Sequence, residues 1–172
     1  EKFDDHPDDP IIFVPTQDKS SKLKVIQALR KNVSLNGACI ELNDKKVQLQ
    51  PGELIAVRTR EDNKWMAGIV RWKNISPSLY SIYGVQFPAR HCAPAAIRIQ
   101  PRGPDSTYQF IQAILLSQKR DLSEGVTLLC PPLRYTKNTK ICVITPLQQS
   151  EAIIAEELET TEHLSHFKLV FC

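Results

Sequence analysis

The sequence predicts an all-β fold with minor α content: an antiparallel barrel followed by a second, small antiparallel β-unit. Three observations carry this. Short runs that alternate apolar and polar residues recur at intervals of about ten residues, separated by turn signals, as in small barrels and sandwiches. Pro51-Gly52 is strong turn punctuation between two such runs. Gly68 and Gly84 stand inside strand-like runs, where a bulge or barrel corner lets the chain bend.

Taken in order, residues 1–20 read as an acidic tail. Asp4-Asp5-His6-Pro7-Asp8-Asp9-Pro10 is broken by proline and excludes a helix or an interior strand, while Ile11-Ile12-Phe13-Val14-Pro15 reads as a short strand or a docking segment. Lys22–Arg30 alternates loosely and suggests a strand, with a short helix as the alternative. Ala38, Ile40 and Leu42 share one face of a half-buried strand, with Cys39 and Glu41 on the other. Further strands follow at Leu54–Arg60, Trp65–Trp72 and Ile82–Phe87. In a regular strand the odd spacing of Trp65 and Trp72 puts them on opposite faces. Ile97-Arg98-Ile99 is expected to return the chain to the barrel. Gln100-Pro101-Arg102-Gly103-Pro104-Asp105 then reads as a boundary, giving a barrel over 21–102 and a second β-unit over 103–172. Within that unit Val126–Cys130, Lys140–Thr145 and Phe167–Phe171 read as strands. Tyr108–Leu116 and Glu151–Glu159 fit either helix or strand, and the β reading is favoured.

Composition bounds the function. A chain of 172 residues suffices for one large or two small domains, and no apolar run approaches the ~18 residues of a membrane span. The chain begins at Glu1 without a visible signal peptide, which suggests a fragment. Five cysteines, none spaced C-x-x-C, argue against a disulfide framework or zinc ribbon and for a reducing cytoplasm. Charge is unevenly spread. Residues 1–20 carry two basic against six acidic side chains, 21–102 fourteen against five, and 103–172 six against eight. The middle segment is therefore the one that attracts an anion. Adjacent His91 and Cys92 point apart in a strand and lack an orienting acid, so no nucleophile–base pair is expected. Neither a metal constellation nor a phosphate-cradling glycine loop is present in the sequence, and an enzyme is not expected.

The stretch Asn32-Val33-Ser34-Leu35-Asn36-Gly37 remains. As local structure it is a polar turn entering a strand, because Asn and Ser bond nearby backbone and Gly accepts unusual backbone angles. As a site it would aim Asn32 and Ser34 at a ligand from the lip of a sheet. The ordered set that follows it is Pro51-Gly52 before Leu54-Ile55-Ala56-Val57, then Trp65-x-x-Gly68-Ile69-Val70-Arg71-Trp72, then Tyr83-Gly84-Val85-Gln86-Phe87. With N-x-S-x-x-G at its head, this order resembles the PilZ domain family over roughly residues 22–100.

The resemblance implies a six-stranded antiparallel barrel and, for many members, a receptor for the bacterial messenger cyclic di-GMP. The family's D/N-x-S-x-x-G motif is met by Asn32, Ser34 and Gly37. Its second motif, R-x-x-x-R, has no counterpart upstream, where the only arginine is Arg30. A guanidinium can fork onto phosphate and stack on guanine, and lysine supplies charge alone. The implied ligand-binding set is therefore Arg30, Lys31, Asn32, Ser34, Gly37 and Arg71. Two functions follow. One is a cytoplasmic cyclic di-GMP receptor or adaptor that passes its signal to a protein partner, without nucleic acid or membrane insertion. The other is a degenerate PilZ-like interaction module in a larger assembly such as a pilus or secretion machine. The second β-unit is similar to small β-domains that follow the barrel in some PilZ proteins.

Overall fold

A computed structural model of the chain describes residues 11–14 as backbone, and 24–58, 64–77, 79–99, 108–119, 125–135 and 137–172. Among these residues there are twelve strands and no helix. The chain divides into two compact units, residues 1–88 and 89–172.

The first unit is a closed antiparallel barrel. Its strands are β1 (Ile11–Val14), β2 (Lys24–Ser34), β3 (Gly37–Leu42), β4 (Leu54–Arg58), β5 (Met66–Ile75) and β6 (Ser81–Gln86), in the spatial order β1-β2-β3-β6-β5-β4. Closure depends on β1, which pairs with β2 on one side and β4 on the other. Ile11–Val14 therefore belongs to the barrel and not to a tail; Asp4–Pro10 lies outside the described residues. Alternation fills the interior. Ile26, Ala28, Ile40, Leu42, Ile55, Val57, Val70, Tyr83 and Val85 form one core, joined by Val47 and Leu49 from the β3–β4 connection. Burying each Leu, Ile or Val of such a core is worth about 1.5–3 kcal/mol. Tyr83 is fully buried, and its hydroxyl accepts the Leu49 N–H at 3.3 Å.

The second unit is also a closed antiparallel barrel. It consists of β7 (His91–Ile99), β8 (Gln109–Ser117), β9 (Thr127–Cys130), β10 (Lys140–Ile144), β11 (Gln149–Thr160) and β12 (Ser165–Phe171), ordered β7-β8-β9-β12-β11-β10. Adding six to each strand number of the first barrel gives this order. Its core includes Ile97, Leu115, Leu128, Val143, Ile154, Phe167 and Leu169. Cys130 sits in that core, and burial pushes its thiol up to about 12, so it stays neutral at physiological pH.

Two sequence expectations change here. Ile97–Ile99 does not return to the first barrel, because β7 pairs with β8 along its length and with β10. The boundary accordingly falls after Pro88 and not after Arg102. The Pro- and Gly-rich stretch 100–105 lies between β7 and β8, and its strong break signal marked a connection inside the second unit. Tyr108–Leu116 and Glu151–Glu159 resolve as strand, lying in or alongside β8 and in β11. Helix propensity in the latter is overridden because Ala152 and Ile154 must both face the core.

The Tyr83 hydroxyl supports the β3–β4 connection from inside the barrel. Tyr83→Phe should leave the buried Leu49 N–H without that acceptor and cost about 1–3 kcal/mol of stability, read as a lower urea midpoint at unchanged slope.

Candidate functional site

The site is set by strand register. β2 and β3 form a hairpin in which Ser34 pairs with Gly37, so only Leu35 and Asn36 make the turn. Asn32 and Ser34 thus stand in the strand, not in a longer polar turn. The pairing slips once, between Arg30 and Asn32, leaving Lys31 as an extra residue in a β-bulge. A second slip in β5, between Val70 and Trp72, makes Arg71 the extra residue there. Bulges bend a strand and re-aim its side chains.

Between the two bulges one row of register partners crosses four strands: Asn32 on β2, Cys39 on β3, Gly84 on β6 and Trp72 on β5. Their neighbours Ile40, Tyr83, Val85 and Val70 face the core, so the row lies on the outside of the barrel. Here it floors a shallow groove of about 260 Å³, rimmed by Ser34, Asn36 and Gly37 on one side and Arg71 and Gln86 on the other.

Trp72 is 46% exposed, and its indole packs against Gly84. A Cβ on Gly84 would come within 2.1 Å of that ring, so only glycine seats it. The bulge also overturns the expectation for the two tryptophans. Trp65 lies just before β5, its ring under the Arg58 guanidinium at 4.7 Å, and the extra residue shifts the alternation before Trp72 is reached. Gly68, by contrast, faces inward, where a Cβ would meet Val85 Cγ1 at 2.6 Å.

Hydrogen bonds fix the rim. The Ser34 hydroxyl donates to the Gly37 carbonyl at 3.3 Å. The Phe87 N–H donates to the Asn36 carbonyl at 2.8 Å, which ties the hairpin tip to the end of β6. Gly37 has no room for a side chain, since a Cβ would lie 2.6 Å from the Val85 carbonyl oxygen. Arg71 Nε donates to Gln86 Oε1 at 2.6 Å, which orients the guanidinium at the groove edge. The Asn32 side chain is exposed and makes no hydrogen bond among the described residues. The Cys39 thiol is held above its ordinary value chiefly by burial. The Lys31 ammonium pulls it down, and the Glu41 carboxylate adds to the rise.

Of the six residues expected from the sequence, Asn32, Ser34, Gly37 and Arg71 line this groove. Arg30 and Lys31 do not. Lys31 instead forms an ion pair with Glu41 at 3.3 Å, and Arg30 is exposed on β2 beside the bulge. Gln86, Cys39 and Trp72 also line the groove and were not among the residues expected from the sequence. The Trp-x-x-Gly-Ile-Val-Arg-Trp and Tyr-Gly-Val-Gln segments held the signal, but pairing them needs the register. Among the described residues no group of three or more His, Cys, Asp and Glu is placed to hold a metal, and no helix is long and apolar enough to cross a membrane.

Comparison with known proteins agrees with this architecture. Residues 13–94 match the family described as "Cyclic-di-GMP receptor FimW, middle PilZ domain". The cyclic-di-GMP receptor FimW of Pseudomonas aeruginosa is 21% identical over 138 residues, covering 80% of this chain. The chain spans only 23% of that receptor's length. Among solved structures, the K. pneumonia MrkH–c-di-GMP complex matches at TM-score 0.35 and 10% identity, over 96% of this chain and 80% of that one. The Bacillus subtilis inhibitor of motility MotI/DgrA matches at 0.37 and 12%, over 96% and 87%. Likenesses that slight say nothing about the groove. The PilZ-domain match over residues 13–94 covers the six strands of the first barrel almost end to end.

Proposed function

We propose that this chain is a cyclic di-GMP receptor or adaptor of the PilZ family, with the ligand held on the outer groove of the first barrel and the signal passed to a protein partner. The observation that carries the reading is the row Asn32–Cys39–Gly84–Trp72 with Arg71 at its edge. Each part suits a piece of a guanine dinucleotide. The half-exposed indole offers a flat face for a purine. The Asn32 amide offers a donor and an acceptor to a base edge. Arg71, oriented by Gln86, offers a guanidinium fork to a phosphate. In this reading Arg71 supplies, from β5, part of what R-x-x-x-R supplies elsewhere in the family. The groove falls short of the roughly 300–1,000 Å³ of enclosed small-molecule pockets. The ligand would lie across it, partly in water.

A second reading is a degenerate interaction module that binds no nucleotide, favoured by the missing R-x-x-x-R upstream of Asn32. The cysteine pattern fits a reducing cytoplasm in either case.

Isothermal titration of the purified chain with cyclic di-GMP separates the two. The receptor reading expects saturable heat, and a folded protein giving none up to high micromolar ligand would overturn it in favour of the second reading. Arg71→Ala should weaken binding roughly ten- to a hundredfold, and Arg71→Lys should recover little of it because the fork is lost. Gly84→Ala should evict the indole from its seat. Tryptophan fluorescence should shift, and the dissociation constant should rise by about tenfold as the stacking face is lost.

A further inference from the structure

Lys31 was expected in the groove and is held elsewhere, and its partner is unusual. Glu41 sits on the outer face of β3, two residues along from Cys39 and between the core residues Ile40 and Leu42. It is only 6% exposed, with Leu29 and Ile82 as its cross-strand neighbours. Lys31 Nζ lies 3.3 Å from its carboxylate, while the lysine side chain is itself 42% exposed. Lys31 is the extra residue of the β2 bulge, immediately before Asn32. Both charges flank the groove floor: Lys31 directly precedes Asn32 on β2, and Glu41 follows Cys39 by two residues on the same face of β3.

We propose that Glu41 is a brake on anion binding in this groove: it engages Lys31 in an ion pair and places a fixed negative charge beside the floor. The inference rests on the receptor reading above. An arriving phosphate has two routes. It binds without Lys31 and against the field of Glu41, or it draws Lys31 away and leaves a nearly buried carboxylate without its cation. Both routes weaken binding relative to a site with a neutral residue at position 41. Glu41 would thereby set the ligand concentration at which the groove fills, without touching the ligand.

The test is titration with cyclic di-GMP, at two salt concentrations, of wild type, Glu41→Gln, Glu41→Gln/Lys31→Met and the charge swap Lys31→Glu/Glu41→Lys, with thermal melts of each. Glu41→Gln should tighten binding by about fivefold, as expected for removing one like charge several ångströms away, and should steepen its salt dependence. Adding Lys31→Met should remove most of that gain. The swap keeps an ion pair and should melt near wild type, yet bind more weakly because a carboxylate now stands at the rim. If the pair only props the bulge, Glu41→Gln weakens binding and the swap restores it, and the proposal is overturned. Should Glu41→Gln fail to fold, the swap alone decides. A folded wild type that gives no heat overturns this inference together with the receptor reading. A wild type that binds, with Glu41→Gln no tighter, overturns this inference alone.

Discussion

Register is the constraint on which the first barrel depends. Closure pairs every strand on both sides, so each residue's face is fixed by its partners and a slip of one position reverses a whole strand. Among its described residues the first barrel uses that rule and breaks it twice, at Lys31 and Arg71. Each bulge lets the rest of its strand keep core residues inside while turning a cation out beside the same four-strand row. The groove is therefore built by two interruptions of pairing, with Gly84 supplying the flat seat between them.

The two barrels make this clearer because they share a plan. β11 carries a bulge between Ile154 and Glu156, at the place where β5 has one between Val70 and Trp72. The row beside it reads Leu116, Thr127, Lys168 and Glu156, where the first barrel has Asn32, Cys39, Gly84 and Trp72. A lysine stands in place of the seating glycine and a glutamate in place of the indole. The extra residue of the bulge is Ala155 in place of Arg71. The backbone device is the same, but that row lacks the side chains that make a groove in the first barrel.

Much of the fold was legible from alternation and turns. Ala38, Ile40 and Leu42 alternate cleanly, Pro51-Gly52 separates β3 from β4, and the motif order marked the barrel. The failures share a cause: sequence periodicity assumes an unbroken phase of two. The bulge at Arg71 adds one residue, so the spacing of Trp65 and Trp72 misled about faces. The lysine at 31 looked like a groove cation because a bulge and a partner ten residues along the chain are not visible locally. The boundary after Arg102 followed a strong Pro/Gly signal, but such residues mark a break in structure without saying which sheet the next strand joins. The short β1 was legible as a strand but was grouped with its acidic neighbours as a tail, because its pairing with β2 and β4, which completes the barrel, is not visible locally.

One bond in the rim has a mechanical consequence. Phe87, whose N–H holds the Asn36 carbonyl, is the next-to-last residue of the first unit. The tip of the hairpin that frames the groove is thus fastened to the segment leading into the other half of the chain. An occupant that pushed the tip outward would load that hydrogen bond. The rim of the groove and the end of the first unit are thus held together by a backbone hydrogen bond.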